Sequence, residues 1–407
     1  MIAGARPPRL AGAERQVYTS HLASRFPSSF EPNALTLAVR RARAEGRRLL
    51  DLTVTNPTRA GFHYDPDLLK ALAAPQSLIY EPVALGLATA RLAVSADYRR
   101  RHLDIPPDRI VLTASTSEAY AWLFKLCCWP SDDEVLIPAP SYPLFYHLTR
   151  MEGVRAVPYR LDYHGRWALD LASLDDAWSD VVRAVLVVSP NNPTGSVLGA
   201  EELQAIAERC ATRSAVLIVD EVFADYPLRS DADISPALPR TCLSVRLGGL
   251  SKSAGLPQVK LGWMALDGPD AYVANAMEKL ELIADTYLSV STPAQVAAPA
   301  LIASGGAVRE QILARVRRND MAIRAAAAGH PEVDVLTADG GWSVVLRVPA
   351  VRTEEDLALT LLEQDDVLVH PGYFFDFAHG CHLIVSLLTP TDTLDAGVGR
   401  LLERVGG

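Results

Sequence analysis

Several features that mark other protein classes are scarce or missing in this chain of 407 residues. Its cysteines number five, and the odd count without a CxxC pair argues against a disulfide framework or a structural zinc site. No apolar run approaches the roughly 18 residues of a membrane-spanning helix, and the N-terminus lacks the apolar core of a signal peptide. We therefore expect a reduced, cytoplasmic protein without a membrane partner.

Positive charge is also in deficit, because 39 basic residues against 48 acidic ones give a net charge of −9. This balance argues against a nucleic-acid partner. Lysine is the scarcest source of positive charge, since all but five of the 39 basic residues are arginines. Each lysine position is therefore informative. The five are Lys70, Lys125, Lys252, Lys260 and Lys279.

Motifs that bind nucleotides or metals are absent as well. The sequence contains neither GxGxxG nor the P-loop pattern, so it offers no dinucleotide or nucleoside triphosphate site. It has no HExxH helix and no EF-hand loop, and its nine histidines do not cluster at metal-ligand spacing. We expect no metal.

Short, continuously apolar runs dominate the middle of the chain and predict strands buried on both faces of a mostly parallel sheet. Helical patterns separate several of them, for example residues 117–128 and 200–213. Alternating strands and helices predict an α/β fold whose large sheet is wound by helices, with its site at the carboxyl ends of the strands. The runs cover residues 109–115, 134–141, 183–190, 215–222 and 242–249.

The pattern changes near both ends of the chain. Residues 33–45 predict a first amphipathic helix after an arm rich in Pro, Arg and Ser. Beyond residue 268 long helices lead into a βαβ-like unit. We therefore predict an arm and first helix at 1–50, which packs with the small domain or a partner subunit. A large domain at 51–304 and a smaller α/β C-terminal domain at 305–407 complete the division.

The predicted strand ends carry an unusual set of groups. Hydroxyls and free N–H groups at residues 115–117 open a helix, where an anion can bind, although an ordinary N-cap is the simpler interpretation. Asn192 follows the apolar run at residues 183–190, where a plain turn is the alternative. Asp220 ends a buried strand, and Lys252 lies in a glycine-bounded loop.

Taken together, these groups fit pyridoxal phosphate. A lysine amine forms a Schiff base with its aldehyde. A carboxylate keeps the ring nitrogen protonated, so that the ring can accept electrons. An amide can hydrogen-bond the ring oxygen, and the helix N-terminus can hold the phosphate.

The segments SPNNPTG, VDEVFADY and LSKSAGLPQVKLGW resemble the signature blocks of class I/II aminotransferases, which are fold-type I pyridoxal-phosphate enzymes. The resemblance implies that Lys252 is the Schiff-base lysine and proton shuttle. It makes Asp220 the partner of the ring nitrogen, Asn192 the amide on the ring oxygen and Tyr142 the ring-stacking aromatic. The residues it assigns to the phosphate are Ser115, Thr116, Ser117 and Ser251, with Tyr80 reaching a phosphate across a homodimer interface.

Three departures from the family pattern affect the cofactor end. Lys260 stands where the family has an arginine on the phosphate, which keeps the charge but loses the bidentate fork. Gly249 replaces a serine and removes one phosphate hydroxyl. Phe223 replaces a tyrosine that stabilises the ionised ring oxygen, so we expect a raised Schiff-base pKa unless Tyr226 substitutes for it.

The fourth departure affects the substrate. In the C-terminal strand, Ile384 stands where the family has the arginine that binds the substrate carboxylate. The candidates for that role are Arg347, Lys260 and the loop of Thr55 and Asn56, a loop that lies where the family places its substrate loop. If none of them binds the carboxylate, the substrate is not a simple α-amino acid. Trp342 and the aromatic run at residues 373–377 are predicted to line the pocket, although plain core aromatics would give the same pattern.

The sequence therefore predicts an aminotransferase that moves an amino group between a small-molecule amino donor and a keto acceptor. A lyase, decarboxylase or oxidase on the same scaffold is the alternative, because the carboxylate arginine is missing. A non-catalytic pyridoxal-phosphate-binding module is the third hypothesis, and the presence of Lys252, Asp220 and Asn192 argues against it.

Overall fold

The structure is a computed structural model that describes residues 25–26, 30–230 and 234–407. Its strands, numbered in chain order, are β1 (Leu50–Asp51), β2 (Ile110–Thr113), β3 (Glu134–Ala139), β4 (Arg155–Tyr163), β5 (Trp167–Leu169), β6 (Val182–Val188), β7 (Val216–Asp220), β8 (Ser244–Gly249), β9 (Gly262–Asp267), β10 (Asp334–Val335), β11 (Ser343–Val348), β12 (Val367–Leu368), β13 (His370–Pro371) and β14 (Cys381–Ser386).

The helices are α1 (Ala34–Ala44), α2 (Ala88–Arg100), α3 (Thr116–Cys127), α4 (Leu144–Glu152), α5 (Leu171–Asp176), α6 (Ala200–Thr212), α7 (Leu250–Ser253), α8 (Asp270–Tyr287), α9 (Thr292–Ser304), α10 (Gly306–Ala327), α11 (Glu354–Asp365) and α12 (Thr391–Gly406). None of the helices in this described part of the chain is long and apolar enough to cross a membrane.

The large sheet has eight strands in the order β2-β9-β8-β7-β6-β3-β4-β5. Its five central strands, from β8 to β4, run parallel, whereas β9 and β5 pair antiparallel with their neighbours. Strands β6, β7 and β8 are almost entirely buried, because helices cover both faces. The predicted α/β fold with a mostly parallel sheet is confirmed.

Strand direction determines where the site forms. The carboxyl ends of β6, β7 and β8 lie side by side at one edge of the sheet, since the three strands are parallel neighbours. Strand β2 points the same way as β8, because both are antiparallel to β9. The segments that follow these strands therefore meet at one edge.

A second, four-stranded sheet in the order β10-β11-β14-β13 is antiparallel. The sequence predicts a βαβ-like unit here, and β11-α11-β13 has that connectivity. The two strands are nevertheless not neighbours, because β14 is inserted between them. One face of this sheet packs on α10 and α12, while Val345 and Ile384 on the other face join an apolar cluster with residues of the large sheet.

The first helix lies with the C-terminal elements. Asn33 caps it, since its side chain accepts the N–H of Thr36 at 2.8 Å, as expected for a helix predicted over 33–45. Leu35 and Ala38 pack against α11, and β1 pairs in parallel with β12. Most of the predicted arm before this helix, residues 1–24 and 27–29, lies outside the described residues.

Candidate active site

Lys252 follows directly from the end of β8. The strand stops at Gly249, and the single turn of α7 carries the lysine into the edge where the strand ends meet. Ser253 Oγ donates to the Gly249 carbonyl at 3.0 Å, and the Tyr226 hydroxyl donates to the Lys252 carbonyl. The backbone that carries the amine is therefore held from both sides.

The Lys252 amine lies against two aromatic rings. Its Nζ is 4.7 Å from the ring centroid of Trp342 and 5.5 Å from that of Phe223. Burial lowers the pKa of Lys252 to about 8, and the opposing charge of Asp220 limits the fall. A substantial fraction of this amine is therefore neutral near pH 7 to 8 and able to act as a nucleophile or base.

Asp220 ends β7, the neighbour of β8, and is 6% exposed. Burial raises its pKa to about 6, although the Tyr120 hydroxyl and the Val222 N–H both stabilise the anion. Tyr120 Oη donates to Oδ2 at 2.7 Å, and the Val222 N–H donates to Oδ1 at 3.0 Å. Sequence reasoning missed Tyr120; the one signal was its place one turn after Thr116.

Phe223 and Tyr226 both lie close to Lys252. Phe223 lies beside Lys252, and its phenyl ring has no hydroxyl that could donate a hydrogen bond. The Tyr226 side chain is fully buried, and its hydroxyl is committed to the Lys252 carbonyl. In this structure the Tyr226 hydroxyl therefore braces the lysine backbone.

The segment after β2 forms a helix N-terminus. Ser115 is the N-cap of α3, and its Oγ accepts the Glu118 N–H at 3.2 Å, so the ordinary capping interpretation of this side chain is right. The N–H groups of Thr116 and Ser117 lie in the first turn, where helix geometry provides no intrahelical acceptor. Capping and anion binding are therefore compatible here.

Bare backbone surrounds this helix N-terminus. A Cβ added to Gly262 would lie 3.1 Å from the Ser115 carbonyl carbon, and one added to Gly249 would lie 3.1 Å from Gly262 Cα and from the Leu261 carbonyl oxygen. The three segments pack closely here, so a side chain at either glycine would require its neighbours to shift by a few tenths of an ångström.

Asn192 and Tyr142 lie at the ends of the next strands. Ser343 Oγ of the small sheet is 3.4 Å from Asn192 Oδ1, which brings the two sheets together at this point. Tyr142 follows Ser141, whose N–H donates to the Phe375 carbonyl at 3.0 Å, and the tyrosine residue is 44% exposed. The predicted aromatic run at 373–377 therefore reaches the same edge as Tyr142.

The small sheet carries an uncharged row on the face that packs against the large sheet. Ile384 is 3% exposed, and the strand register places Val345 on one side of it and His370 on the other. Burial lowers the pKa of His370 to about 4, so its imidazole is neutral at pH 7. This row therefore carries no charge at neutral pH.

Of the candidates for the substrate carboxylate, Arg347 already has an acidic partner. Its guanidinium pairs with Asp334 at 2.6 Å, and half of its side chain is exposed. Thr55 and Asn56 lie in an exposed loop that Ser386 of β14 holds through the Val54 carbonyl. The loop is thus fixed two residues from Ile384 along the strand.

Two predicted residues are exposed in this single chain. Tyr80 is 71% exposed, and Lys260 is exposed with a left-handed φ of 60°. Ser251, on α7 next to Lys252, is partly buried. A cavity of about 420 Å³ opens at the amino ends of the strands, between Cys210, Cys242 and Lys279, and none of the predicted site residues lines it.

Comparison with known proteins identifies the family. The model of aminotransferase class I and II matches residues 59–401. The glutamate-pyruvate aminotransferase AlaA of Escherichia coli K12 is 27% identical over 382 residues, covering 90% of this chain and 93% of that protein. An alanine aminotransferase of Mycobacterium tuberculosis H37Rv is 28% identical over 400 residues, covering 89% and 86%.

Solved structures agree on the fold. The alanine aminotransferase from Pyrococcus furiosus superimposes with a TM-score of 0.84 at 22% identity, covering 94% of this chain and 99% of that one. The family match does not favour the lyase, decarboxylase or oxidase alternative. The chain belongs to the class I and II aminotransferase family, and it is an enzyme that transaminates.

Proposed function

We propose that this aminotransferase uses pyridoxal 5'-phosphate, anchored on Lys252, to exchange an amino group between a small-molecule amino donor and a keto acceptor. The observation that carries the proposal is the pairing of Lys252 with Asp220 at neighbouring strand ends. Each group acts electrostatically on the other, and burial shifts the pKa of both toward neutrality. Titrating groups with such shifts concentrate in active sites.

The residues present fit the cofactor from end to end. The bare backbone at Gly249 and Gly262, next to the open N–H groups of Thr116 and Ser117, suits a phosphate. The hydroxyls of Ser115 and Ser251 are proposed to add donors there. Lys260 is proposed to add charge; its support is its position eight residues after Lys252, since no described contact holds it at the site.

Three residues are proposed to orient the ring. Asn192 Oδ1 accepts a hydrogen bond from Ser343, which leaves its amide N–H groups to donate to the ring oxygen. Tyr142 supplies a half-exposed aromatic face for stacking at the end of β3. Asp220 provides the carboxylate for the ring nitrogen.

When bound, pyridoxal phosphate supplies an aldehyde that condenses with amines and a ring that takes up the electrons released at the substrate α-carbon. Lys252 Nζ, neutral in part near pH 8, is proposed to attack that aldehyde and later to take a proton from the substrate and return it. Trp342 and Phe223 cover the amine and exclude water from it.

The substrate is proposed to lie between this wall and the loop of Thr55 and Asn56, with Trp342 lining the pocket. The relatives are named for alanine, glutamate and pyruvate, and another relative in M. tuberculosis is named valine–pyruvate aminotransferase. Small donors of this kind and pyruvate are therefore the first candidates.

The test is a donor screen on purified protein reconstituted with pyridoxal phosphate. Adding a donor without acceptor is expected to convert the cofactor absorbance to that of the amine form, and adding pyruvate is expected to restore it. If no amino donor converts the cofactor, the proposal fails. Release of ammonia without an acceptor would instead indicate a lyase or an oxidase.

We also propose a homodimer with a shared site. Leu78, Ile79 and Tyr80 are 90%, 64% and 71% exposed in one chain, a run of apolar surface that a second copy would cover. In this arrangement Tyr80 reaches the partner's phosphate. Light scattering that shows only monomer would contradict it.

The remaining organisation stays a proposal too. We place an N-terminal unit at 1–50, a large domain at 51–304 and a small domain at 305–407, supported by the start of α10 at Gly306 and by the second sheet beyond it. We propose the cytoplasm as the location, since all five cysteines are free thiols.

A further inference from the structure

A buried hydrogen bond links Asp220 to a residue that the proposed chemistry does not use. Tyr120 lies in the second turn of α3, and its side chain is 2% exposed. Its hydroxyl donates to Asp220 Oδ2 at 2.7 Å across a sequence separation of 100 residues. This hydrogen bond accounts for the position of the Tyr120 hydroxyl without any contact to a cofactor.

The surroundings of Tyr120 hold its ring in place. The ring packs edge-to-face on Phe145, with centroids 5.4 Å apart, and at 6.1 Å from Phe124 on its own helix. Burial and the Asp220 charge raise the Tyr120 pKa well above its ordinary value, so the hydroxyl keeps its proton and remains a donor. The Tyr120 hydroxyl is therefore held in place as a hydrogen-bond donor to Asp220 before any cofactor binds.

Helix α3 connects the two ends of the site. Its first turn presents the N–H groups of Thr116 and Ser117, and Tyr120 lies one turn later, about 6 Å along the axis. A single rigid element therefore sets the distance between the proposed phosphate position and the carboxylate. A change in α3 would move both together.

We infer that Tyr120 is a positioning residue, which fixes the orientation of the Asp220 carboxylate and holds it in its ionised form for the proposed cofactor. This inference rests on the proposed function. The groups that face Asp220 are Tyr120 from α3, Lys252 from α7, and the Val222 N–H and the Glu221 carboxylate from its own segment. Of these, Lys252 would be committed to the cofactor, which leaves Tyr120 as the permanent side-chain donor.

The test compares Tyr120→Phe with a matched control. Phenylalanine keeps the ring and removes only the hydroxyl. Tyr159→Phe is the control, because Tyr159 is 1% exposed and its hydroxyl donates at 2.8 Å to the Leu186 carbonyl of the same sheet. Both variants lose one buried hydrogen bond, but only one of these bonds ends on Asp220.

The first readout is the protonation of Asp220 in the cofactor-free protein, measured from the infrared carbonyl band of its protonated carboxyl. The Asp220→Asn variant, which lacks this band, identifies it. The wild-type band is expected to titrate near pH 6. Loss of a hydrogen bond to a charged group is expected to raise the midpoint by about one pH unit or more in Tyr120→Phe. An unchanged midpoint in Tyr120→Phe, or an equal shift in Tyr159→Phe, overturns the inference.

The second readout is the pH dependence of kcat/KM in the holoenzyme. Its acid limb is expected to move to higher pH in Tyr120→Phe and to stay in place in Tyr159→Phe. The two hypotheses fail separately. If Asp220→Asn binds pyridoxal phosphate and turns over like wild type, the proposed function fails. If Asp220→Asn is impaired while Tyr120→Phe matches Tyr159→Phe in both readouts, only the role of Tyr120 fails.

Discussion

The two walls of the site differ in chemistry. The large-sheet wall, formed by Lys252, Asp220 and Asn192, carries an amine, a carboxylate and an amide, and burial shifts the pKa of the first two toward neutrality. The small-sheet wall, formed by Ile384, Val345 and His370, is uncharged at neutral pH.

The difference matches the proposed division of the site. A common cofactor needs fixed groups in fixed places, and the large-sheet wall carries the residues of the family pattern. The small-sheet wall is proposed to face the substrate, and there Ile384 stands in place of the family's arginine. A carboxylate packed on this row would lie unpaired in an apolar environment, which is costly.

The largest effect is expected from the large-sheet wall. Asp220→Asn keeps the shape of the side chain but removes its charge. We expect turnover to fall by a factor on the order of 100 to 1,000, as for the loss of one preorganised electrostatic partner. Steady-state kinetics on the reconstituted enzyme measure this loss of turnover, and Asp285→Asn, at an exposed position, is the control. A loss below about threefold would mean that Asp220 does not serve the ring.

The small-sheet wall is expected to respond through stability. Ile384→Ala removes a fully packed side chain, so we expect the free energy of unfolding to drop by about 2–5 kcal/mol. Denaturant unfolding measures the change, and Val351→Ala, at a position 83% exposed, should leave stability nearly unchanged. A loss under about 1 kcal/mol would show that the wall is open at Ile384 and not packed.

A pH experiment tests the amine of the large-sheet wall. The folded-state pKa of Lys252 is lowered to about 8, so the neutral amine dominates above that pH and falls about tenfold per unit below it. The rate at which cofactor-free protein captures pyridoxal phosphate should therefore rise up to about pH 8 and then level off. Stopped-flow absorbance measures this rate, and a rise that continues to pH 10 would contradict the lowered pKa.

The smallest effect is expected at Arg347. Arg347→Gln breaks an exposed ion pair with Asp334, so stability should change by less than about 1 kcal/mol. The KM for the amino donor should stay the same, because this guanidinium faces solvent. A KM raised tenfold or more would place Arg347 on the substrate carboxylate and remove the contrast between the walls.

Much of the large sheet could be predicted from sequence, because its central strands are continuously apolar runs such as residues 183–190. Strand β4 could not, since its residues are mostly half-buried or exposed. Helix α9 is also hard to predict, because its mostly apolar sequence shows no helical period and contains Pro299. Local pattern therefore predicts continuously buried strands well, and it predicts poorly the elements that lack a clear period.

Within the site, the residues that come from contiguous blocks were predictable and their partners were not. Tyr120 and Asp220 are 100 residues apart, and nothing in the segment SEAYAWLF distinguishes a hydrogen-bonding tyrosine from a core one. The same holds for Arg347, whose position beside Asp334 follows only from the pairing of β10 with β11. Such contacts depend on strand order, which the sequence alone did not provide.

The most direct measurement of the central claim is the location of the cofactor's covalent bond. Borohydride reduction of the protein with pyridoxal phosphate, followed by peptide mass spectrometry, should place the modification on Lys252 alone among the five lysines. Lys252→Ala should abolish both the label and transamination, while the exposed Lys279→Ala should keep both. Stoichiometric label on another lysine, or full turnover by Lys252→Ala, would contradict the account.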